Sequence, residues 1–92
     1  MINVVVVTKA DEKDLRKVPI HVRLNFFAWL DAVTEQGLEA VRRVPGFHDE
    51  PLSGKRFGQR SIRLSKSYRA VYEIEGTTAT LVRVLEVNKH EY

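Results

Sequence analysis

The spacing of apolar residues changes at Pro45-Gly46, and this change limits the folds that the chain can adopt. Before that point, residues 20–36 carry large apolar side chains at helical spacing, and Gly37 is typical of the position just after a helix. After it, residues 60–64 alternate between apolar and polar types, which is typical of a half-buried strand. Helices therefore precede a set of strands, and this order predicts an α+β layer fold.

An N-terminal strand, two helices and a run of hairpin-linked strands are predicted in that order. The β-branched residues 2–8 indicate a strand that is either buried on both sides or covered at its edge by a helix. The helices are expected over residues 9–17 and 20–36, with residues 38–43 adding a helical turn. The later strands are expected near residues 54–57 and over residues 60–64, 68–75 and 79–88. The sheet should then be twisted and mostly antiparallel, with the helices packed on one face.

The helical stripe and the alternating strands also predict the core. Phe26 and Leu30 lie on the apolar side of the second helix, and Ile62 lies on the apolar side of a strand. We expect these three side chains to be buried between helix and sheet. The cluster Phe26-Phe27-Trp29 has the composition of a base-stacking platform, but its helical spacing favours a core role.

The size and composition of the chain exclude several classes of protein. It has 92 residues, of which 43% are apolar and 29% charged, a globular composition that predicts one domain over residues 1–92. This length is too short for a Rossmann, TIM-barrel or kinase architecture. The chain has no cysteine, which excludes a disulfide scaffold and a thiolate metal site. Its three histidines lie in different predicted elements, so we expect neither a metal ion nor a small-molecule cofactor.

The sequence also gives an expectation for location. Its longest uninterrupted apolar run is the four valines at positions 4–7. That run is far shorter than the roughly 20 residues that a membrane-spanning helix needs. A basic stretch followed by an apolar stretch, the pattern of a signal peptide, does not occur at the N-terminus. We therefore expect a cytoplasmic protein with no membrane partner.

The positive charge is concentrated in one segment. The formal net charge is +3, yet residues 53–69 hold six basic side chains and no acidic one, while the remaining residues have a net charge of −3. The six are Lys55, Arg56, Arg60, Arg63, Lys66 and Arg69. Such a block predicts a surface that binds a polyanion, although an arginine-rich pair of solvated strands would show the same pattern.

Side chains capable of acid–base chemistry flank this basic block. His48, Asp49 and Glu50 precede it, and His90 and Tyr92 lie near the C-terminus, where they share one face if the last strand continues that far. A frayed chain end is the alternative. Cationic side chains beside a base and an acid suit cleavage of RNA by its own 2′-hydroxyl, a reaction that needs neither cysteine nor metal.

Several motifs together resemble the RelE/ParE superfamily of bacterial type II toxins, and most closely its RelE, YoeB and HigB branches. The resemblance covers most of the chain. The order of elements agrees, and the segment 14–19 resembles the junction between the two helices of those proteins. The motifs are Glu50-Pro51-Leu52-Ser53-Gly54, Ser61-Ile62-Arg63-Leu64, Tyr68-Arg69-Ala70-Val71-Tyr72 and Val87-Asn88-Lys89-His90-Glu91-Tyr92.

This resemblance implies a ribosome-dependent mRNA endonuclease that is silenced by a cognate antitoxin in a bacterial cytoplasm. By position, Glu50 matches the base of such toxins, and Arg63 and Arg69 match the arginines that hold the scissile phosphate. His90 and Tyr92 fall where these toxins keep a C-terminal acid. The remaining cations are expected to bind RNA: Lys55, Arg56, Arg60, Lys66 and Lys89.

The chain departs from the pattern at two positions, and two alternatives remain. Glu91 separates His90 from Tyr92, which are adjacent in YoeB-like and HigB-like chains, so either one is a candidate for the acid. Ser53 replaces a lysine that is frequent in relatives. A ParE-like inhibitor that binds DNA gyrase is one alternative, although such chains usually lack the C-terminal acid–base pair. A relative that binds RNA without cleaving it is the other.

Overall fold

The structure, a computed structural model, describes residues 1–87 of the chain. A short 3₁₀ turn at Pro45–Phe47 lies between the helices and the sheet, and a second one, at Gly54–Arg56, lies between the two strands that follow. The helices and strands, in chain order, are β1 Val4–Val6, α1 Lys9–Lys17, α2 Ile20–Gln36, α3 Leu38–Val41, β2 Glu50–Pro51, β3 Gln59–Arg63, β4 Tyr68–Glu75 and β5 Thr78–Glu86.

The five strands form a single mixed sheet in the order β1-β5-β4-β3-β2. Only β1 runs parallel to its neighbour, β5, and the other three strand pairs within the described residues are antiparallel. The predicted α+β fold with a mostly antiparallel sheet is therefore confirmed. No helix within residues 1–87 combines the length and the apolar character that crossing a membrane requires.

Local hydrogen bonds fix both ends of the helical region. Thr8 and Asp11 cap α1 reciprocally: the Asp11 amide donates to Thr8 Oγ1 at 3.2 Å, and the Thr8 amide donates to Asp11 Oδ2 at 3.2 Å. At the end of α2, Gly37 has a φ of 87° and donates its N–H to the Val33 carbonyl at 2.9 Å. Other residues rarely adopt this φ, so the position favours glycine.

The core lies between the helices and one face of the sheet. Phe26 and Trp29 of α2 are fully buried, as are Tyr72 of β4 and Ile62 of β3. The three aromatic rings are in contact: the ring centroids of Phe26 and Trp29 are 5.9 Å apart, and those of Trp29 and Tyr72 are 5.2 Å apart. The burial predicted for Phe26 and Ile62 is confirmed. Leu30 is only half-buried, because it lies at the rim of an apolar groove beside β1.

Two predicted strands differ from those in the structure. The N-terminal strand is only three residues long, and it lies at the sheet edge with Val4 50% and Val6 40% exposed. The strand expected at residues 54–57 is a 3₁₀ turn, because Gly54 and Gly58 have left-handed backbone conformations that interrupt an extended path. The strand that pairs with β3 is instead Glu50–Pro51.

Two adjacent phenylalanines of α2 offer a matched test of this packing. Phe26 is fully buried, whereas Phe27 is 44% exposed. Phe26→Ala should lower the free energy of unfolding by about 3–5 kcal/mol, because it leaves a cavity in the core. Phe27→Ala should lower it by less than about 1 kcal/mol. Urea denaturation followed by circular dichroism measures both values, and equal losses would contradict the orientation of α2.

Candidate active site

Two arginines lie directly opposite each other on the sheet face that the helices leave open. Arg63 is the last residue of β3 and pairs in register with Arg69 of β4. Directly opposed like charges destabilise a pair of strands. The fold thus holds two cations together at a cost in stability, and a bound anion would relieve their repulsion.

The guanidinium group of Arg69 is held in one orientation. Its Nε and Nη2 donate to Ser61 Oγ at 3.1 and 2.9 Å, and Nη2 also lies 2.9 Å from Glu50 Oε1 and 3.2 Å from the His48 carbonyl. Its Nη1 makes no hydrogen bond with the other described residues. Arg69 therefore presents a fixed donor on the open side, which suits an anionic ligand.

The backbone of His48 brings its carbonyl to Arg69. His48 has φ 46° and ψ 49°, the left-handed conformation, which costs an ordinary residue about 1–2 kcal/mol. It ends the 3₁₀ turn Pro45–Phe47, and its N–H donates to the Pro45 carbonyl at 3.1 Å. Within residues 1–87, His48 is the only residue other than glycine with a positive φ. Backbone strain of this kind is typical of functional sites.

A small polar hollow lies beside the two arginines. Its volume is about 190 Å³, below the roughly 300 Å³ at which pockets for drug-sized ligands begin, so it suits one chemical group rather than a whole small molecule. Among the described residues, three cations and one histidine line it, and no carboxylate does. Its lining residues are His48, Arg63, Ser65, Lys66, Arg69 and Val87. Within residues 1–87, no cluster of histidine and carboxylate side chains could hold a metal ion.

A further cation, Arg83, lies on the same sheet face and was not predicted as a site residue. It pairs in register with Val71 of β4, so it lies diagonally across from Arg69, at the roughly 7–8 Å that separates diagonal neighbours. A bulge between Val71 and Tyr72 shifts the register of β5. Leu81 consequently contacts the core, whereas Leu85 lies on the open face opposite Arg69, although an uninterrupted strand would put both leucines on one face.

Arg60 lies apart from the other cations, on the face of the sheet that the helices cover. Its Nε donates to Asp49 Oδ1 at 2.6 Å, and the Tyr72 hydroxyl donates to Asp49 Oδ2 at 2.6 Å. The Asp49 side chain is fully buried. Burial acts to lower the pKa of Arg60, but the hydrogen bond and the charge of Asp49 outweigh it and raise that pKa. The grouping of Arg60 with the RNA-facing cations is therefore not supported by its placement.

The remaining predicted residues divide into two groups. Lys55 and Arg56 are exposed on the 3₁₀ turn before β3, next to Phe57, which is 88% exposed, and neither cation forms an ion pair with the other described residues. Lys89, His90 and Tyr92 lie outside the described residues. The last described residue, Val87, lines the hollow, and its N–H donates to the Ser67 carbonyl at 2.6 Å.

Comparisons with known proteins give matches among solved structures alone. No family model matches the chain, and no curated protein matches its sequence. The toxin–antitoxin complex RelBE2 from Mycobacterium tuberculosis matches over 90% of this chain and 95% of that chain, with 25% identity and a TM-score of 0.57. The RelB–RelE antitoxin–toxin complex from Methanococcus jannaschii matches over 88% and 89%, with 23% identity and a TM-score of 0.71. YafQ from E. coli matches over 96% of both chains, with 11% identity and a TM-score of 0.70.

The chain has the fold of the RelE/YoeB-like toxin superfamily. Each of these matches covers almost the whole length of both proteins. The resemblance that the sequence motifs indicate is therefore confirmed at the level of the fold. Its structural neighbours are toxins of type II toxin–antitoxin systems, and several of them were solved together with an antitoxin.

The buried contact between Tyr72 and Asp49 predicts a dependence of stability on pH. Burial, reinforced by the hydrogen bond to Asp49, raises the pKa of the Tyr72 phenol well above its usual value of 10.0. The folded state therefore favours the protonated phenol, and the stabilisation is present below pH 10 and is lost as the pH rises through the raised pKa. Above pH ~10, the unfolding free energy should fall by about 1.4 kcal/mol per pH unit more in the parent than in Tyr72→Phe. Urea denaturation on both sides of that pH measures this difference, and parallel curves would contradict it.

Proposed function

We propose that this protein is the toxin of a type II toxin–antitoxin system and acts as an endoribonuclease on mRNA that is being translated. The observation that carries the proposal is the register pair of Arg63 and Arg69 on the open face, with the Glu50 carboxylate 2.9 Å from Arg69. Two cations beside one small hollow, and a carboxylate bonded to one of them, are the groups that cleavage of a phosphodiester requires.

In this proposal, each group has one role in the reaction. Glu50, whose side chain is 62% exposed, accepts the proton of the RNA 2′-hydroxyl. The resulting oxygen attacks the adjacent phosphorus, and the bond from phosphorus to the 5′ oxygen breaks. Arg63 and Arg69 stabilise the charge that develops on the phosphate oxygens, and this stabilisation is greatest in the transition state. His90 or Tyr92 donates a proton to the departing 5′ oxygen, so the products are a cyclic 2′,3′-phosphate and a 5′-hydroxyl.

The proposed partners are the ribosome with its mRNA and a cognate antitoxin. Lys55 and Arg56 are exposed cations without ion-pair partners among the described residues, which suits contact with a nucleic-acid backbone. An antitoxin is supported by the neighbours from M. tuberculosis and M. jannaschii, which are complexes of toxin and antitoxin. An acidic or amphipathic segment of the antitoxin would complement the basic open face.

Removing either opposed arginine should slow cleavage far more than it weakens binding. Arg69→Ala and Arg63→Ala should each reduce the cleavage rate by roughly 10²–10³-fold, because they remove charge stabilisation from the transition state. Affinity for the ribosome should change little. The measurement is mRNA cleavage on programmed ribosomes followed by primer extension, with circular dichroism to verify folding. Arg16→Ala, which removes an exposed cation from α1, is the matched control and should cleave at the parental rate.

Two results would overturn this function. If both arginine variants cleave as fast as the parent, the opposed pair takes no part in the chemistry. If the parent cleaves no mRNA but inhibits DNA supercoiling by gyrase, the gyrase-binding alternative is the correct one.

The exposed cations give a separate prediction about binding. Arg56→Ala should weaken ribosome association and should reduce the slope of log K against log salt by about one, because one phosphate contact and its released counterion are lost. Arg16→Ala should leave the slope unchanged. Filter binding of labelled ribosomes at several salt concentrations gives both slopes, and an unchanged slope for Arg56→Ala would show that this side chain contacts no phosphate.

A further inference from the structure

A buried carboxylate on the helix side of the sheet lies directly behind the candidate active site. The Asp49 side chain has no exposed surface, and each of its oxygens accepts a hydrogen bond of 2.6 Å, one from Arg60 Nε and one from the Tyr72 hydroxyl. A buried carboxylate is stable only when it is paired and hydrogen-bonded. Asp49 therefore has one well-defined position, and the backbone on both sides of it shares that position.

The two neighbours of Asp49 are the two residues that hold Arg69 from the open side. The His48 carbonyl and the Glu50 carboxylate both accept a hydrogen bond from Arg69 Nη2. Successive side chains of an extended segment point to opposite faces, so Asp49 is directed toward the core while Glu50 is directed toward the site. Three consecutive residues thus connect the two faces of the sheet.

The other end of this connection is rigid. Tyr72 is fully buried, and its ring centroid lies 5.2 Å from that of Trp29, so its hydroxyl is fixed by the core. Arg60 is held in turn by Asp49 and is mostly buried. Ser61, the residue after Arg60, accepts two hydrogen bonds from Arg69. Two sets of contacts therefore connect the core to Arg69: one passes through Asp49 and its neighbours, and the other passes through Arg60 and Ser61 of β3.

We propose that Asp49 is a positioning residue: the buried Tyr72–Asp49–Arg60 contacts hold His48 and Glu50 in the geometry that orients Arg69 and aims the carboxylate at the substrate. This role rests on the proposed endoribonuclease function. Catalytic groups must be held in place by supporting contacts, because small displacements cause large losses in rate. Asp49 itself cannot reach the substrate, since its side chain lies on the covered face.

Tyr72→Phe is the sharpest probe of this role, because it removes one hydrogen bond to Asp49 and keeps the ring that packs against Trp29. We expect the cleavage rate at saturating programmed ribosomes to fall by about tenfold, with no change in KM. Asp11→Ala is the matched control: it removes a buried carboxylate that accepts hydrogen bonds in the α1 cap. It should lower the melting temperature and leave the cleavage rate of the folded protein unchanged.

Two further measurements separate positioning from a loss of overall stability. In the Arg69→Ala background, Tyr72→Phe should cause a smaller fold-loss of rate than in the parent, because the part of its effect that passes through Arg69 is already lost. Hydrogen exchange should accelerate about tenfold at the Leu52 amide, which donates to the Gln59 carbonyl between β2 and β3. Exchange at the Leu64 amide, which donates to the Tyr68 carbonyl between β3 and β4, should keep its parental rate.

The outcomes are distinguishable from a failure of the proposed function. A Tyr72→Phe variant that cleaves at the parental rate, that slows Arg69→Ala by the same factor as it slows the parent, or that accelerates exchange at Leu52 and Leu64 equally would overturn the positioning role. If the parent itself cleaves no RNA, the proposed function is wrong. The exchange measurement then still decides whether the buried contacts hold the segment that carries Glu50.

Discussion

The contact between Trp29 and Tyr72 joins the hydrophobic core to the candidate active site. Trp29 anchors α2 on the sheet, and Tyr72 supplies both an apolar ring to that core and a hydroxyl to Asp49. An aromatic residue with a polar end suits this double role, because its ring gains from burial while its hydroxyl requires a partner. The geometry around Arg69 therefore depends on how well α2 packs, even though no helix of residues 1–87 lies on the open face.

Much of the fold could be predicted from local signals. The bounds of α1, α2 and β4 agree with the prediction, since Thr8 and Asp11 cap one helix, Gly37 ends the next, and Gly76 makes the turn after β4. The N-terminal strand could not be delimited in this way. Four consecutive valines indicate a strand that is either buried on both sides or covered at its edge by a helix, and the structure has β1 at the edge of the sheet, with Val5 packed against the core and Val4 and Val6 exposed. Edge position is a tertiary property that composition does not reveal.

At the site, the structure differs from the sequence prediction where charge was counted without regard to strand face. Arg60 belongs to the basic block by sequence, yet the period-two pattern puts it on the same side as Ile62, and the structure agrees. Arg83 was missed for a related reason. The bulge at Val71/Tyr72 reverses which side of β5 faces the core, and no residue type in β5 signals such a bulge. The pairing of Arg63 with Arg69, on which the proposed function rests, can be predicted from the hairpin between β3 and β4 alone.

The two ends of the open face differ in charge, because basic residues lie at one end of the strands and acidic residues at the other. Arg63 and Arg69 lie at the end of the β3–β4 pair near the hollow, and Glu73 pairs with Gln59 toward the opposite end. The hydrogen bond that the protonated Glu75 carboxyl donates to Glu73, aided by desolvation and by the Glu73 charge, raises the pKa of the exposed Glu75 carboxyl, because two acidic groups lie close together there. A polyanion on this face is attracted at one end and repelled at the other. The charge pattern thus favours a polyanion that crosses the strands at the arginine pair over one that lies along them, because only a crossing polyanion avoids the acidic end.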